Sequence, residues 1–119
     1  MKESGEMYLE TILVESKRLG GEVRSVDVAA GLGVTRPSVS RALSKLKEEN
    51  YIVIDDNGHI FFTDAGREIA EKIYERHQVL SALLLQLGID EKTAADDACK
   101  IEHVISDTTF NAIKARIKG

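Results

Sequence analysis

The sequence predicts a mainly α chain with one small β-hairpin. Six segments repeat apolar residues at helical intervals, two short apolar runs flank a turn-forming trio, and capping residues or glycines stand at most segment ends. The first helix is expected from Glu6 to Leu19, with Met7, Leu9, Ile12 and Leu13 on its stripe and Gly20-Gly21 closing it. Ser25 is expected to cap a short helix from Val26 to Leu32, which Gly33 breaks. Thr35 then caps a third helix with Pro37 in its first turn and Val39, Leu43 and Leu46 on its apolar face, running to about Asn50. The period changes there: Tyr51-Ile52-Val53-Ile54 and Ile60-Phe61-Phe62 read as strands joined by Asp56-Asn57-Gly58, residues that tolerate positive φ. Thr63 caps a long helix from Asp64 to about Leu87, with Ile69, Ile73, Val79, Leu80, Leu83, Leu84 and Leu87 on its stripe and Gly88 as its stop. Asp90 starts a helix expected to reach Ile105, and Ser106 caps a last one carrying Phe110, Ile113 and Ile117.

Composition narrows the class. A chain of 119 residues, 43% apolar and 30% charged, has the makings of one compact protein or two small lobes, and excludes a large multidomain enzyme or a disordered tail. Its apolar runs are too short to span a bilayer and no signal sequence opens it, so the expectation is a cytoplasmic protein without membrane contact. Cys99 is the single cysteine, which rules out an intrachain disulfide and a four-thiolate zinc site, and leaves mixed ligands for any metal. The net charge of −4 argues against coating nucleic acid through bulk positive charge.

Local charge reads differently. No acidic residue lies between Asp27 and Glu48, whereas Arg36, Arg41, Lys45 and Lys47 cluster in the third helix and its first turn. Val28, Ala29, Leu32, Val34 and Val39 have the spacing of two helices crossing over a small residue, and the hairpin follows directly, which together read as a winged helix-turn-helix. Thr35, Arg36, Pro37, Ser38, Ser40, Arg41 and Lys45 would then front a major groove, with Arg gripping guanine and hydroxyls holding phosphates. The alternative for these side chains is an ordinary solvated helix face. Asp55 and Asp56 would repel phosphate, so the wing is assigned little binding, and His59 reads as a turn residue.

The second half carries ligand-type residues. Cys99, Glu102 and His103 stand at i, i+3 and i+4 of the predicted fifth helix and converge on one face, a spacing that suits a first-row divalent ion or, equally, a core thiol beside a surface ion pair. His77 on the long helix is another candidate, and Met7 and Glu10 share a face of the first helix; core packing for Met7 and solvation for Glu10 are the competing readings. Catalysis by Cys99 and His103 lacks an orienting third group and a Gly-rich oxyanion turn, so the chain is read as a non-enzyme.

Several blocks carry a family resemblance: Glu6-Met7-Tyr8-Leu9, Thr35-Arg36-Pro37-Ser38-Val39-Ser40, Thr63-Asp64-Ala65-Gly66, Arg76-His77, and Asp97-Ala98-Cys99-Lys100-Ile101-Glu102-His103-Val104-Ile105-Ser106-Asp107. Over essentially its full length the chain resembles the metal-dependent transcriptional regulators of the diphtheria toxin repressor and manganese transport regulator type. The resemblance implies a winged helix-turn-helix DNA-binding domain over residues 1–65, followed by a helical metal-binding and dimerisation domain over 66–119. It also implies a homodimer joined through the C-terminal helical domain, double-stranded operator DNA as partner, and repression of metal-homeostasis genes with metal as corepressor. Met7, Cys99, Glu102 and His103 match the primary site of the iron-responsive branch. Glu10 and His77 match positions at which the manganese-responsive branch holds a second ion, although that branch carries acidic residues in place of Met7 and Cys99. Ser81 and Ala95 stand where the iron branch's ancillary site needs Glu and His. Thioether and thiol favour Fe(II) over Mn(II), with Co(II) or Ni(II) as surrogates, while Glu10 pulls toward Mn(II). A winged-helix regulator that answers a small molecule or a protein partner is the competing function.

Overall fold

The computed structural model describes residues 2–117. Among them stand α1 (Glu3–Leu19), α2 (Ser25–Leu32), α3 (Arg36–Glu48), β1 (Ile52–Ile54), β2 (Ile60–Phe62), α4 (Asp64–Gln86), α5 (Glu91–Ile101) and α6 (Asp107–Arg116). The mainly α class with one hairpin is thus observed. Two compact units, Met1–Glu71 and Lys72–Gly119, divide the chain inside α4. No helix among the described residues is long and apolar enough to cross a membrane.

In the first unit, α1 starts three residues before the predicted Glu6, because Glu3 and Glu6 sit in its first turn and answer the partial positive charge of the helix start. Its stripe of Leu9, Ile12 and Leu13 is buried. Ser25 proves to be the first residue of α2 rather than its cap; the Asp27 carboxylate instead accepts the Arg24 N–H at 2.9 Å and takes the capping role. Val28, Ala29 and Val39 are buried as the crossing pattern requires, but Val34 is 39% exposed, since it lies in the turn after Gly33 at φ +67°. Thr35 caps α3 by accepting the Ser38 N–H, and Val39, Leu43 and Leu46 turn inward. The helix stops at Glu48, with Asn50 at φ +65° reversing the chain, a conformation that its short polar side chain tolerates.

The hairpin is antiparallel with Val53 opposite Phe61, and both of these face outward while Ile52 and Ile60 are buried. Tyr51 precedes the strand rather than joining it. Of the turn trio only Gly58 adopts positive φ, because the Asp55 carboxylate accepts the N–H groups of both Asn57 and His59 and shapes the loop. Those donors, His59 first, hold the Asp55 carboxyl below its ordinary range.

In the second unit the inward residues are Ile73, Arg76 and Leu80 of α4, Ala94 and Ala98 of α5, and Phe110 of α6. Leu87 is not part of that core: it lies past the end of α4 and is 68% exposed, because Gly88 turns the chain away at φ +89°. Asp90 and Ser106 cap α5 and α6 through the N–H groups of Thr93 and Thr109. Ile117 stands just beyond α6 in extended conformation. The fifth helix also ends early, at Ile101 instead of Ile105. Ser106 must be extended to cap α6, so the chain leaves helical geometry before it.

A close approach fixes where α4 begins. Thr63 accepts the Gly66 N–H at 3.1 Å and donates to the Asn50 carbonyl at 2.7 Å, while its own N–H donates to the Tyr51 carbonyl. A Cβ on Gly66 would fall 1.9 Å from that same Tyr51 oxygen. Gly66→Ala is therefore expected to destabilise the first unit by about 1–3 kcal/mol or more, as overpacking against rigid backbone does; a lowered urea midpoint with unchanged slope measures it.

Candidate metal centre and nucleic-acid interface

The second unit gathers four of the six predicted ligand residues. Cys99 lies in the last turn of α5, Glu102 is its C-cap and His103 follows in the turn, so the i, i+3, i+4 set crosses a helix end rather than lying within a helix. The convergence survives: one ligand atom from each of the three lies within 4.8 Å of the others. Glu102 is completely buried. Its Oε2 is 2.8 Å from Nδ1 of His77 on α4, and its Oε1 is 3.4 Å from Nε2 of His103, whose side chain is shielded from solvent. The hydrogen bond to Glu102 raises the His77 pKa above its ordinary value, against the opposing effect of burial.

A carboxylate removed from water without a cation costs several kcal/mol. His77 answers one oxygen, whereas Oε1 of Glu102 makes no hydrogen bond among the described residues. A buried, under-satisfied carboxylate oxygen beside two imidazoles and a thiol fits a divalent first-row cation, which takes this mixture of O, N and S donors. Met7 and Glu10 stand three residues apart on α1 in the first unit, both half-buried. Cys99 is half-buried and in no disulfide.

The predicted nucleic-acid face lies wholly on α3 and its cap. Thr35, Arg36, Pro37, Ser40, Arg41 and Lys45 are exposed and Ser38 is half-buried, opposite the buried Val39, Leu43 and Leu46. The first turn holds no acidic residue, so no side chain of that turn opposes an anion approaching the helix start. Thr35 donates to the Ser38 hydroxyl at 2.9 Å, and Arg41 reaches the same oxygen at 3.5 Å. Sequence reasoning left Lys47, Ser44 and Ser25 out of this face. With Ser40 they line a groove of about 250 Å³ between α3 and the hairpin, giving it a cation and three hydroxyls. The charge run that includes Lys47 was the available signal, but only the hairpin's placement shows that this flank is concave.

Comparison with known proteins decides the family. Residues 1–60 match the iron dependent repressor N-terminal DNA binding domain, and residues 63–119 match the iron dependent repressor metal binding and dimerisation domain. The chain belongs to the iron-dependent repressor family. It is 33% identical over 115 residues to an HTH-type transcriptional regulator of Methanocaldococcus jannaschii, covering 96% of this chain and 92% of that one. It is 38% identical over 95 residues to the transcriptional regulator MntR of Salmonella typhimurium, covering 80% of this chain and 60% of that regulator. A solved manganese-dependent transcriptional repressor, in complex with manganese, superposes with a TM-score of 0.84 at 28% identity, over 94% of this chain and 51% of its own. The chain thus spans nearly all of the archaeal relative and little more than half of the other two. These relatives are transcriptional regulators, and the family is not one of enzymes.

Arg76 is the residue whose role the sequence did not announce. It stood out only within the Arg76-His77 match, yet it is 6% exposed and bonds to the ligand-bearing turn. Its other partner, Asp107, also meets Lys72 at 3.1 Å, and these cations, Lys72 foremost, hold the Asp107 carboxyl below its ordinary value of 3.8. A carboxyl depressed in the folded state adds stability that is complete above its unfolded pKa and lost as pH falls through the folded one. Unfolding of wild type is therefore expected to become easier as pH drops below 3.8, and Asp107→Asn to show a shallower acid dependence in paired urea titrations.

Proposed function

We propose that the protein is a metal-dependent DNA-binding repressor of metal-homeostasis genes, acting in the cytoplasm as a homodimer with Fe(II) as its favoured corepressor. The observation that carries the reading is the buried Glu102 carboxylate, with one oxygen lacking a hydrogen bond beside His77, His103 and Cys99. Cys99, Glu102 and His103 are the core ligands, with His77 against Glu102; the resemblance adds Met7 and Glu10 of α1. A bound cation would supply the positive charge that these carboxylates call for. Thiol and thioether donors support Fe(II) over Mn(II). Manganese is the second reading, favoured by the manganese held in the 28% identical repressor.

On the DNA side, Arg36, Arg41 and Lys45 supply cations to a duplex, Thr35, Ser38 and Ser40 supply hydroxyls, and Pro37 sits in the first turn of the helix, where no N–H acceptor is needed. Two copies must place their α3 helices about 34 Å apart to enter successive major grooves. Exposed Leu85, Leu87 and Val104 give the second unit apolar surface for self-association. Coupling between metal and DNA of this kind amounts to about 1 to 3 kcal/mol, a factor of about 5 to 150 in operator affinity.

Anaerobic titration with Fe(II) or Mn(II), read out by binding to an operator duplex, tests the whole reading. Metal is expected to tighten binding within that range for wild type, and Glu102→Gln or His103→Ala to remove the stimulation while circular dichroism stays unchanged; stimulation retained in both variants refutes the centre. Arg41→Ala is expected to weaken operator binding by about 1 to 3 kcal/mol at every metal concentration. A loss confined to metal affinity would show that Arg41 does not meet DNA.

A further inference from the structure

We propose that Arg76 is a positioning residue for the metal centre, fixing the turn from which Glu102 and His103 project. The inference rests on the metal reading above. Nη1 of Arg76 donates to the carbonyl of Glu102 at 3.1 Å and to that of Ile105 at 2.8 Å, while Nη2 donates to the Asp107 carboxylate. The guanidinium carbon stands 5.4 Å from the centroid of the Phe110 ring, whose face supports the cation. One buried side chain therefore holds three points of the segment from Glu102 to Asp107, and His103 lies between the first two.

The chemistry of the segment explains why an arginine is needed. The last carbonyls of a helix have no intrahelical donor, and α5 ends at Ile101, so the carbonyls of the following turn must find donors elsewhere. Guanidinium offers a planar fork that meets two carbonyls and a carboxylate at once; an ammonium on a flexible stem does not fix their directions. The neighbouring residue completes the hold: Arg76 takes the Glu102 main chain and His77 its carboxylate, so consecutive α4 residues fix both ends of one ligand. An apolar side chain of similar volume would fill the space but leave the Glu102 and Ile105 carbonyls without these donors. Here Nε of Arg76 is buried without an acceptor among the described residues, a cost that packing alone does not require.

Co(II) binding to the full chain tests the assignment, since its visible absorption reports ligand number and geometry independently of any DNA readout. Arg76→Lys is expected to weaken Co(II) by about tenfold or more, the usual effect of removing a group that orients a ligand. At saturating Co(II) its absorption should also differ from wild type in position or intensity. Asp107→Asn, which releases Arg76 from its anchor while leaving the turn's own residues intact, should move both quantities in the same direction by less. Lys114→Ala, which breaks the exposed Glu75–Lys114 pair of the same unit, should move neither. Wild-type affinity and absorption in Arg76→Lys would overturn the positioning role while leaving the metal centre standing; if that variant does not fold, unchanged values in Asp107→Asn overturn it instead. Failure of wild type itself to bind Co(II) would overturn the centre and the positioning role together.

Discussion

The second unit is organised around one unfavourable act, the burial of the Glu102 carboxylate. An anion out of water needs positive charge or several donors, and the chain answers in part: His77 of α4 meets one oxygen, the adjacent His103 stands beside the other, and Arg76 of α4 holds the main chain. None of these contacts is strong evidence for stability, because replacing a buried ionic cluster by apolar residues is commonly neutral or better. The arrangement makes sense as a site, where a carboxylate kept under-satisfied has something left to offer a cation.

The first unit follows the opposite pattern. Its charged residues are mostly on the surface, and its core is built from aliphatic side chains of α1, α2, α3 and the hairpin. The cations that matter are concentrated on α3 by the absence of acids between Asp27 and Glu48, so an acidic protein presents a locally basic helix. Fields at a surface are set by near charges, because salt screens the distant ones over about 8 Å. Net charge is therefore a poorer guide than placement to what such a helix can meet.

Legibility tracked the distance over which a contact acts. Thr35, Thr63 and Ser106 cap their helices as read, and Asp90 caps the helix it was expected to start, because a cap bonds an N–H three residues away and both partners are in view in the sequence. Ser25 failed as a cap because Asp27 competes for the role within the same turn. The ligand set on α5 was legible as spacing, but the hold on the turn that carries it was not: Arg76 lies twenty-six and twenty-nine residues away from the carbonyls it binds. A buried arginine on an apolar stripe looks the same in sequence as a solvated one.

The two units also differ in how much change they can absorb. A DNA-facing helix needs only a stable scaffold behind it, and Val39, Leu43 and Leu46 can vary in kind while Arg41 and Lys45 still face outward. The ligand turn tolerates less. Its atoms must converge within a few ångströms, and the turn, whose Val104 and Ile105 N–H groups donate to the Ile101 carbonyl, is held further by one guanidinium and one imidazole projecting from adjacent α4 positions. A shift of α4 by one residue would put either Glu75 and Arg76 or His77 and Gln78 in the places of these two groups, and Glu102 would lose the pair that holds it. Register of the α4 residues against the ligand turn is thus part of the chemistry of the site as well as of the fold.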